Sequence, residues 1–177
     1  MSKRMVKLPI LFQDPLFYPN QDIELIISNT ISLEDVLCQH YFLYDIAVYS
    51  RMKGFYEPWK HSEQSIPLLL KSWEGKKEEL KMIFGDRDRR MAKEPMIRSI
   101  SYFICFLFWG NQLSVPYLKN INQAIVQLKC KPINIEERLA FIYSKPDYYQ
   151  SFIQLSQLFE EFEKQYYKLL ILKRTKI

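Results

Sequence analysis

The stretch that decides the fold is Pro146-Asp147-Tyr148-Tyr149-Gln150-Ser151-Phe152-Ile153-Gln154-Leu155-Ser156-Gln157-Leu158-Phe159-Glu160-Glu161-Phe162-Glu163-Lys164-Gln165-Tyr166-Tyr167-Lys168-Leu169-Leu170. Tyr148, Phe152, Leu155, Leu158, Phe159, Phe162, Tyr166, Leu169 and Leu170 recur at the three- and four-residue steps of one helix face, with charged and amide side chains between them. A long helix striped this way must bury its stripe against other elements. Pro146 suits a first helical position. The tail Lys173-Arg174-Thr175-Lys176 sets positive charge at the helix's negative end.

Working outward, the same helical grammar repeats. Asn134 stands as an N-cap with Glu137 three residues on, the pattern of a capping box, ahead of a short helix burying Ile135, Leu139, Ile142 and Tyr143. After Pro116 a helix aligns Tyr117, Ile121, Ala124 and Leu128. Pro95 opens or kinks a helix that is apolar on nearly every side from Tyr102 to Trp109 and ends at Gly110-Asn111. Pro67 begins a helix aligning Leu69, Leu70, Trp73, Leu80 and Phe84, which stops near Gly85. Ser32, with Asp35 following, caps a helix carrying Leu33, Val36, Leu37, Tyr41, Leu43, Tyr44, Ala47 and Val48 on one face and Phe42, Ile46 and Tyr49 opposite. A short helix is expected over Asp22 to Ser28, and residues 1–21, with Pro9, Pro15 and Pro19, read as irregular. No strand-like alternation of useful length, repeat or linker interrupts the pattern. The expected fold is all-α: a single domain over 1–177, packed as an irregular bundle of about six or seven helices.

Composition agrees. With 48% hydrophobic and 25% charged residues the chain is in the globular range, and 12 Tyr, 12 Phe and 3 Trp predict a core of large rings. Four glycines leave little room for a phosphate-cradling loop. The apolar run ending at Trp109, even extended back to Met96, contains Arg98 and falls short of the roughly 20 residues a membrane span needs. Cys38, Cys105 and Cys130 are an odd number without disulfide-like spacing, which points to a reducing interior. The net charge of +5 is made largely of Lys, and the abundance of Ile and Lys over Ala and Gly fits an AT-rich bacterial proteome.

The starts Lys131-Pro132-Ile133-Asn134-Ile135-Glu136-Glu137-Arg138-Leu139 and Lys145-Pro146-Asp147-Tyr148-Tyr149-Gln150-Ser151-Phe152-Ile153-Gln154-Leu155 resemble the YpoC-like family of small uncharacterised proteins from low-GC Gram-positive bacteria. The matching residues, which run on through Leu158 and Phe159, place the resemblance over 131–163. It implies a cytoplasmic bacterial protein and brings no catalytic residues with it. The family's genes stand near DNA replication and repair genes, which implies an accessory role there as one alternative.

Candidate functional residues fall into three groups. Arg87, Arg89, Arg90 and Lys93, joined by Arg98, form a basic patch mixed with Asp86, Asp88 and Glu94; a solvated, self-neutralising connector is the plainer reading. Trp59 and His61 lie on an expected loop at 51–65 and are the recognition candidates, unless Trp59 caps the core. Arg138 sits at the edge of an apolar face, placed as a structural clamp between the last two helices or as an anion contact. His40 reads as a core histidine at the centre of its helix's apolar face. Two histidines and three scattered cysteines show no zinc spacing, and no nucleotide loop, His-Glu-x-x-His or Gly-x-Ser-x-Gly is present. No catalytic, metal or cofactor residue is therefore assigned. The function expected is a non-enzymatic helical interaction module binding a protein partner through an exposed aromatic or apolar groove. The alternatives are an accessory nucleic-acid-binding protein linked to replication or repair, and an enzyme with an unrecognised site.

Overall fold

The computed structural model describes residues 4–20, 24–27 and 31–175. Among them run seven α-helices: α1 (Leu33–Gln39), α2 (Leu43–Tyr49), α3 (Ser62–Gly85), α4 (Arg89–Gly110), α5 (Ile121–Val126), α6 (Ile135–Ser144) and α7 (Tyr149–Arg174). Two short strands, β1 (Arg4–Lys7) and β2 (Glu24–Ile27), pair antiparallel. The architecture is a mostly-α irregular bundle with one small sheet.

Its centre is α4. Every residue from Ser99 to Trp109 is buried, as expected of a helix that is apolar all round. The two serine hydroxyls in this run bond back to the helix itself, Ser99 Oγ donating to the Pro95 carbonyl at 2.8 Å and Ser101 Oγ to that of Arg98 at 2.6 Å. α3 folds back on α4 through residues 86–88, with Leu69, Trp73 and Leu80 buried between them. α7 then crosses both. Its Phe152 meets Phe84 and its Phe159 stacks on Trp73, with ring centroids 5.5 and 4.2 Å apart, so it runs opposite to α3. Along α4, Phe103 meets Phe159 and Phe106 meets Phe162, at 5.1 and 4.7 Å, so it runs with α4. Gly110 makes this approach possible: a Cβ there would lie 2.9 Å from Phe162 Cε1.

The helices depart from the sequence-based expectations at their ends and near the N-terminus. Glu24–Ile27 is a strand rather than part of a helix, because its backbone finds a partner in Arg4–Lys7, in the register Arg4↔Ile27 to Lys7↔Glu24. Residues 22, 23 and 28 of that expected helix, and 1–3 and 21 of the segment read as irregular, lie outside the described residues. Ile10–Phe12 forms a 3-10 turn and buries Phe12, so 4–12 is largely regular. The helix expected from Ser32 through Val48 is two. Ser32 caps α1 as anticipated, its side chain accepting from Asp35 N. The chain then turns at Phe42, whose φ of 52° is left-handed, and both Tyr41 and Phe42 pack their rings on Phe17. His40 is consequently a half-buried C-cap in extended backbone, not the centre of a helix face.

Prolines mislead in the same way. Pro67 and Pro95 lie inside α3 and α4, five or more residues from the helix starts, and Pro146 sits in the turn before α7, which begins at Tyr149. Tyr117 precedes α5, which starts only at Ile121 after a left-handed Asn120. Asn134 is also left-handed, φ 54°, and makes no side-chain cap, so the expected capping box with Glu137 is absent. Asn readily adopts this conformation, and the same short polar side chain that suggests a cap also suits a left-handed turn.

Candidate functional site

The sequence-derived candidates do not converge. Arg87, Arg89, Arg90 and Lys93 are all exposed around the start of α4, but they are not one cluster. Arg89 Nε meets Asp147 Oδ2 at 2.6 Å and its guanidinium lies 3.7 Å over the Tyr148 ring, so it ties α4 to the turn before α7. Arg87, Arg90 and Lys93 form no ion pair among the described residues. Asp88 caps α4, accepting from Met91 N at 3.3 Å, and Glu94 lies 3.7 Å from Arg98. Arg98 itself is buried and leaves the patch altogether.

Trp59 is not an exposed recognition residue. The segment Pro58–His61 is a 3-10 turn rather than a loop, and it buries Trp59 in the core. His61 is exposed and stacks on Tyr56, centroids 5.4 Å apart at 11°. Arg138 projects from α6 to α7, where Nη1 and Nη2 reach the two carboxylate oxygens of Glu161 at 2.8 and 3.0 Å. That fork geometry suits a guanidinium and a carboxylate.

Sequence reasoning missed a polar joint beneath α1 and α2. Arg98, 8% exposed, donates from Nη1 to the carbonyls of His40 at 3.1 Å and Leu37 at 3.4 Å, the ones that the end of α1 leaves unpaired. Its guanidinium also lies 3.9 Å over the Tyr41 ring. Tyr18 completes the turn by donating its hydroxyl to the Tyr41 carbonyl. One turn along, Asp45 is 0% exposed. Its Oδ1 accepts from Trp109 Nε1 at 3.1 Å and Val115 N at 2.7 Å, while Oδ2 has no partner. Burial pushes the Asp45 carboxyl up to about 7, against the pull of its two hydrogen bonds. Burial pushes the Cys105 thiol up as well, with Asp45 adding to the effect. Burial, and secondarily Arg98, lowers His40. Both missed residues carried a signal in their neighbours. Asp45 stands between Leu43-Tyr44 and Ile46-Ala47, and Arg98 between Met96-Ile97 and Ile100. A lone charge in an apolar run is a buried charge in need of partners.

Next to the Asp45 end of this joint, beyond Trp109 and Val115, the surface is different. Phe108, Leu113, Pro116, Ala124 and Leu128, with Ser114 and Gln127, line an open depression of ≈ 330 Å³. Leu113 on its rim is 50% exposed. Lys173 Nζ lies 3.3 Å from Gln112 Oε1, which brings the last turns of α7 beside this rim. There Leu169, Ile171 and Leu172 are exposed, Ile171 to 63%. Asn111 fixes the floor by bonding both the N–H and the carbonyl of Cys130, at 3.0 and 2.8 Å. Chemically this surface offers apolar area and lysines. Among the described residues no group of three or more His, Cys, Asp or Glu is arranged to hold a metal ion, and no helix is long and apolar enough to cross a membrane.

No solved structure matches this chain. Over 111 residues it is 34% identical to "Uncharacterized protein YpoC" of Bacillus subtilis (strain 168), a match covering 63% of this chain and 68% of that protein. The family described as YpoC-like protein matches residues 63–174, from the first turn of α3 to the end of α7. The aromatic crossing, the Arg138–Glu161 fork and the apolar depression all lie within that span, and the chain belongs to the YpoC-like family.

Proposed function

We propose that this protein is a non-enzymatic helical interaction module of the bacterial cytoplasm, and that it docks a protein partner where the depression meets the end of α7. The observation that carries this reading is the exposure of Leu113 and Val126 at an apolar hollow, with Leu169 and Leu172 exposed on the last turns of α7, which Lys173 brings beside it. Scattered exposed apolar residues are ordinary, but exposed apolar residues gathered at a concavity mark a contact surface. The three cysteines, all free, fit a reducing compartment. A photo-crosslinking residue placed at Leu113 or Leu172, in the native host, should capture a discrete protein. The same residue at Met82, exposed near the end of α3 and outside this surface, should not. Equal capture from all three positions would remove the surface from consideration.

One observation favours a second reading, nucleic-acid binding. Arg87, Arg90 and Lys93 are exposed and carry no ion-pair partner among the described residues. With Asp86 and Asp88 alongside, the field they produce is weak, and only non-specific affinity of roughly 10⁻⁴ to 10⁻⁶ M at physiological salt is expected. Tighter binding to a DNA duplex, abolished by changing Arg87, Arg90 and Lys93 to Ala, would put this reading first.

A further inference from the structure

The charge of the molecule is divided in a way that its overall balance conceals. Residues 111–135 and 164–177 together hold eight of the chain's 25 Lys and Arg and none of its 20 Asp and Glu, so the remainder carries 17 basic against 20 acidic residues. The whole positive excess belongs to these two stretches. They are distant in sequence, yet the fold sets them side by side: Lys173 reaches Gln112, and Cys130 Sγ lies 3.4 Å from Gln165 Oε1. Exposed Lys129, next to Leu128 of the hollow, and exposed Lys173, which reaches Gln112, therefore stand beside the apolar surface described above, and Lys168 is exposed on the same end of α7.

Resting on that docking surface, we propose that its occupant is an acidic amphipathic segment of another protein, with apolar side chains entering the hollow beside Leu113 and Asp or Glu flanks meeting the lysines. Each part of the surface selects for one part of this ligand. The apolar hollow requires anchors that a phosphodiester backbone lacks. The concavity, and the placement of Leu169 and Ile171 two residues apart on different sides of α7, do not suit the flat apolar face with which a helix lies on a bilayer. A second copy of the chain would bring a like-charged rim against this one, which opposes self-association. An acidic segment satisfies the hollow and the rim together, and its encounter rate is raised by the opposite charge.

The test begins with a random-peptide display library selected on the full chain, in parallel with phosphatidylglycerol vesicles and a DNA duplex as separate probes. Enriched peptides should combine Leu, Phe or Trp with Asp and Glu. In anisotropy titrations of the best peptide, Leu113→Glu and Leu172→Glu should each weaken binding by about tenfold or more. Changing Lys129, Lys168 and Lys173 to Gln should weaken it comparably at low salt and have little effect at about 1 M salt, where the screening length falls to about 3 Å. All these positions are exposed, and unchanged thermal melting confirms that the variants fold. Enrichment of neutral or basic apolar peptides that still depend on Leu113 would refute the acidic partner and keep the docking surface. Peptides indifferent to Leu113→Glu and Leu172→Glu would refute both. Vesicle or duplex binding that depends on the three lysines, with no peptide enriched, would reassign the face to lipid or nucleic acid.

Discussion

Where α7 crosses α3 and α4, the bundle is held by apolar side chains: Trp73, Phe103, Phe106, Phe159 and Phe162 are buried and linked ring to ring through Phe159 and Phe106, and the Lys77–Glu160 pair lies at the rim. Where α1 and α2 meet the other side of α4, the same central helix presents a guanidinium to two free carbonyls and an indole N–H to a buried carboxylate. One seam gains from area removed from water and is indifferent to pH. The other depends on every polar group finding its partner, and one of them, Asp45 Oδ2, does not. The comparison separates what apolar periodicity specifies from what it leaves open. A continuous stripe defines a straight helix and its buried face, whereas a broken stripe needs a polar group elsewhere in the chain to complete the break.

The largest expected effect tests the aromatic seam. Phe159 is 1% exposed and touches Trp73, Phe103 and Phe106. Phe159→Ala should cost roughly 3–5 kcal/mol, the usual range for truncating a buried ring. Urea denaturation showing a loss below about 1 kcal/mol, the level of an ordinary substitution, would mean that α7 is peripheral and the seam is not the centre of the fold.

The next tests the polar joint through pH. Asp45 has its carboxyl raised from 3.8 to about 7, so the folded state holds that proton more tightly than the unfolded state does. Its contribution therefore favours folding at low pH and declines as pH rises from about 4 through about 7, a change equivalent to roughly 4 kcal/mol. His40, lowered by burial, acts in the opposite sense, favouring folding above its unfolded value and losing that contribution as pH falls. In Asp45→Asn the carbonyl oxygen can still accept from Trp109 and Val115, but the charge is gone. The variant should be the more stable of the two at pH 8, and the difference should shrink or reverse at pH 5, because its new amide lacks an acceptor and such a group costs about 1–3 kcal/mol. Parallel pH-stability curves for parent and variant would show that Asp45 is not the buried acid described.

These two seams also mark what could be read from the residues. The α7 stripe from Phe152 to Tyr166, the all-round burial of Tyr102 to Trp109 and the stop at Gly110 follow directly from spacing, because a helix that repeats its apolar face has one way to bury it. The break at His40–Phe42 does not. The carbonyls that a continuous helix would have paired internally are satisfied instead by Arg98, some 58 residues away. The strand at Glu24–Ile27 likewise depends on Arg4–Lys7, and four residues are too few for alternation to register. For the candidate site, types were visible but not convergence. Leu113 and the end of α7 each look unremarkable alone, and the lack of acidic residues around them acquires meaning only when the fold brings the two stretches together.

A smaller effect sharpens the account of how the aromatic seam closes. Gly110 has no need of glycine's backbone freedom, so Gly110→Ala should be tolerated or mildly favoured on helix propensity alone. The added Cβ would instead lie 2.9 Å from Phe162, a fully buried ring fixed by Phe106. Overpacking of this kind costs typically about 1–3 kcal/mol. A neutral or stabilising result in thermal melts would show that α4 and α7 stand further apart at this end.

The smallest effect belongs to Arg138, and it decides whether the fork to Glu161 holds the fold or serves the surface. The fork is well formed, with two parallel bonds, and Lys cannot reproduce it. Yet the Glu161 side chain is 44% exposed, so water replaces much of what the guanidinium supplies. Solvent-exposed pairs contribute about 0–1 kcal/mol. Arg138→Lys should accordingly lower stability by less than about 1 kcal/mol, and Glu161→Gln should give a similar loss, with little further cost when both are combined, since each removes the same interaction. Such a cycle assigns Arg138 to joining α6 with α7. Strictly additive losses would show that the two side chains act independently and that the fork contributes nothing. Unchanged stability combined with weakened binding of a captured partner would move Arg138 from the scaffold to the contact surface.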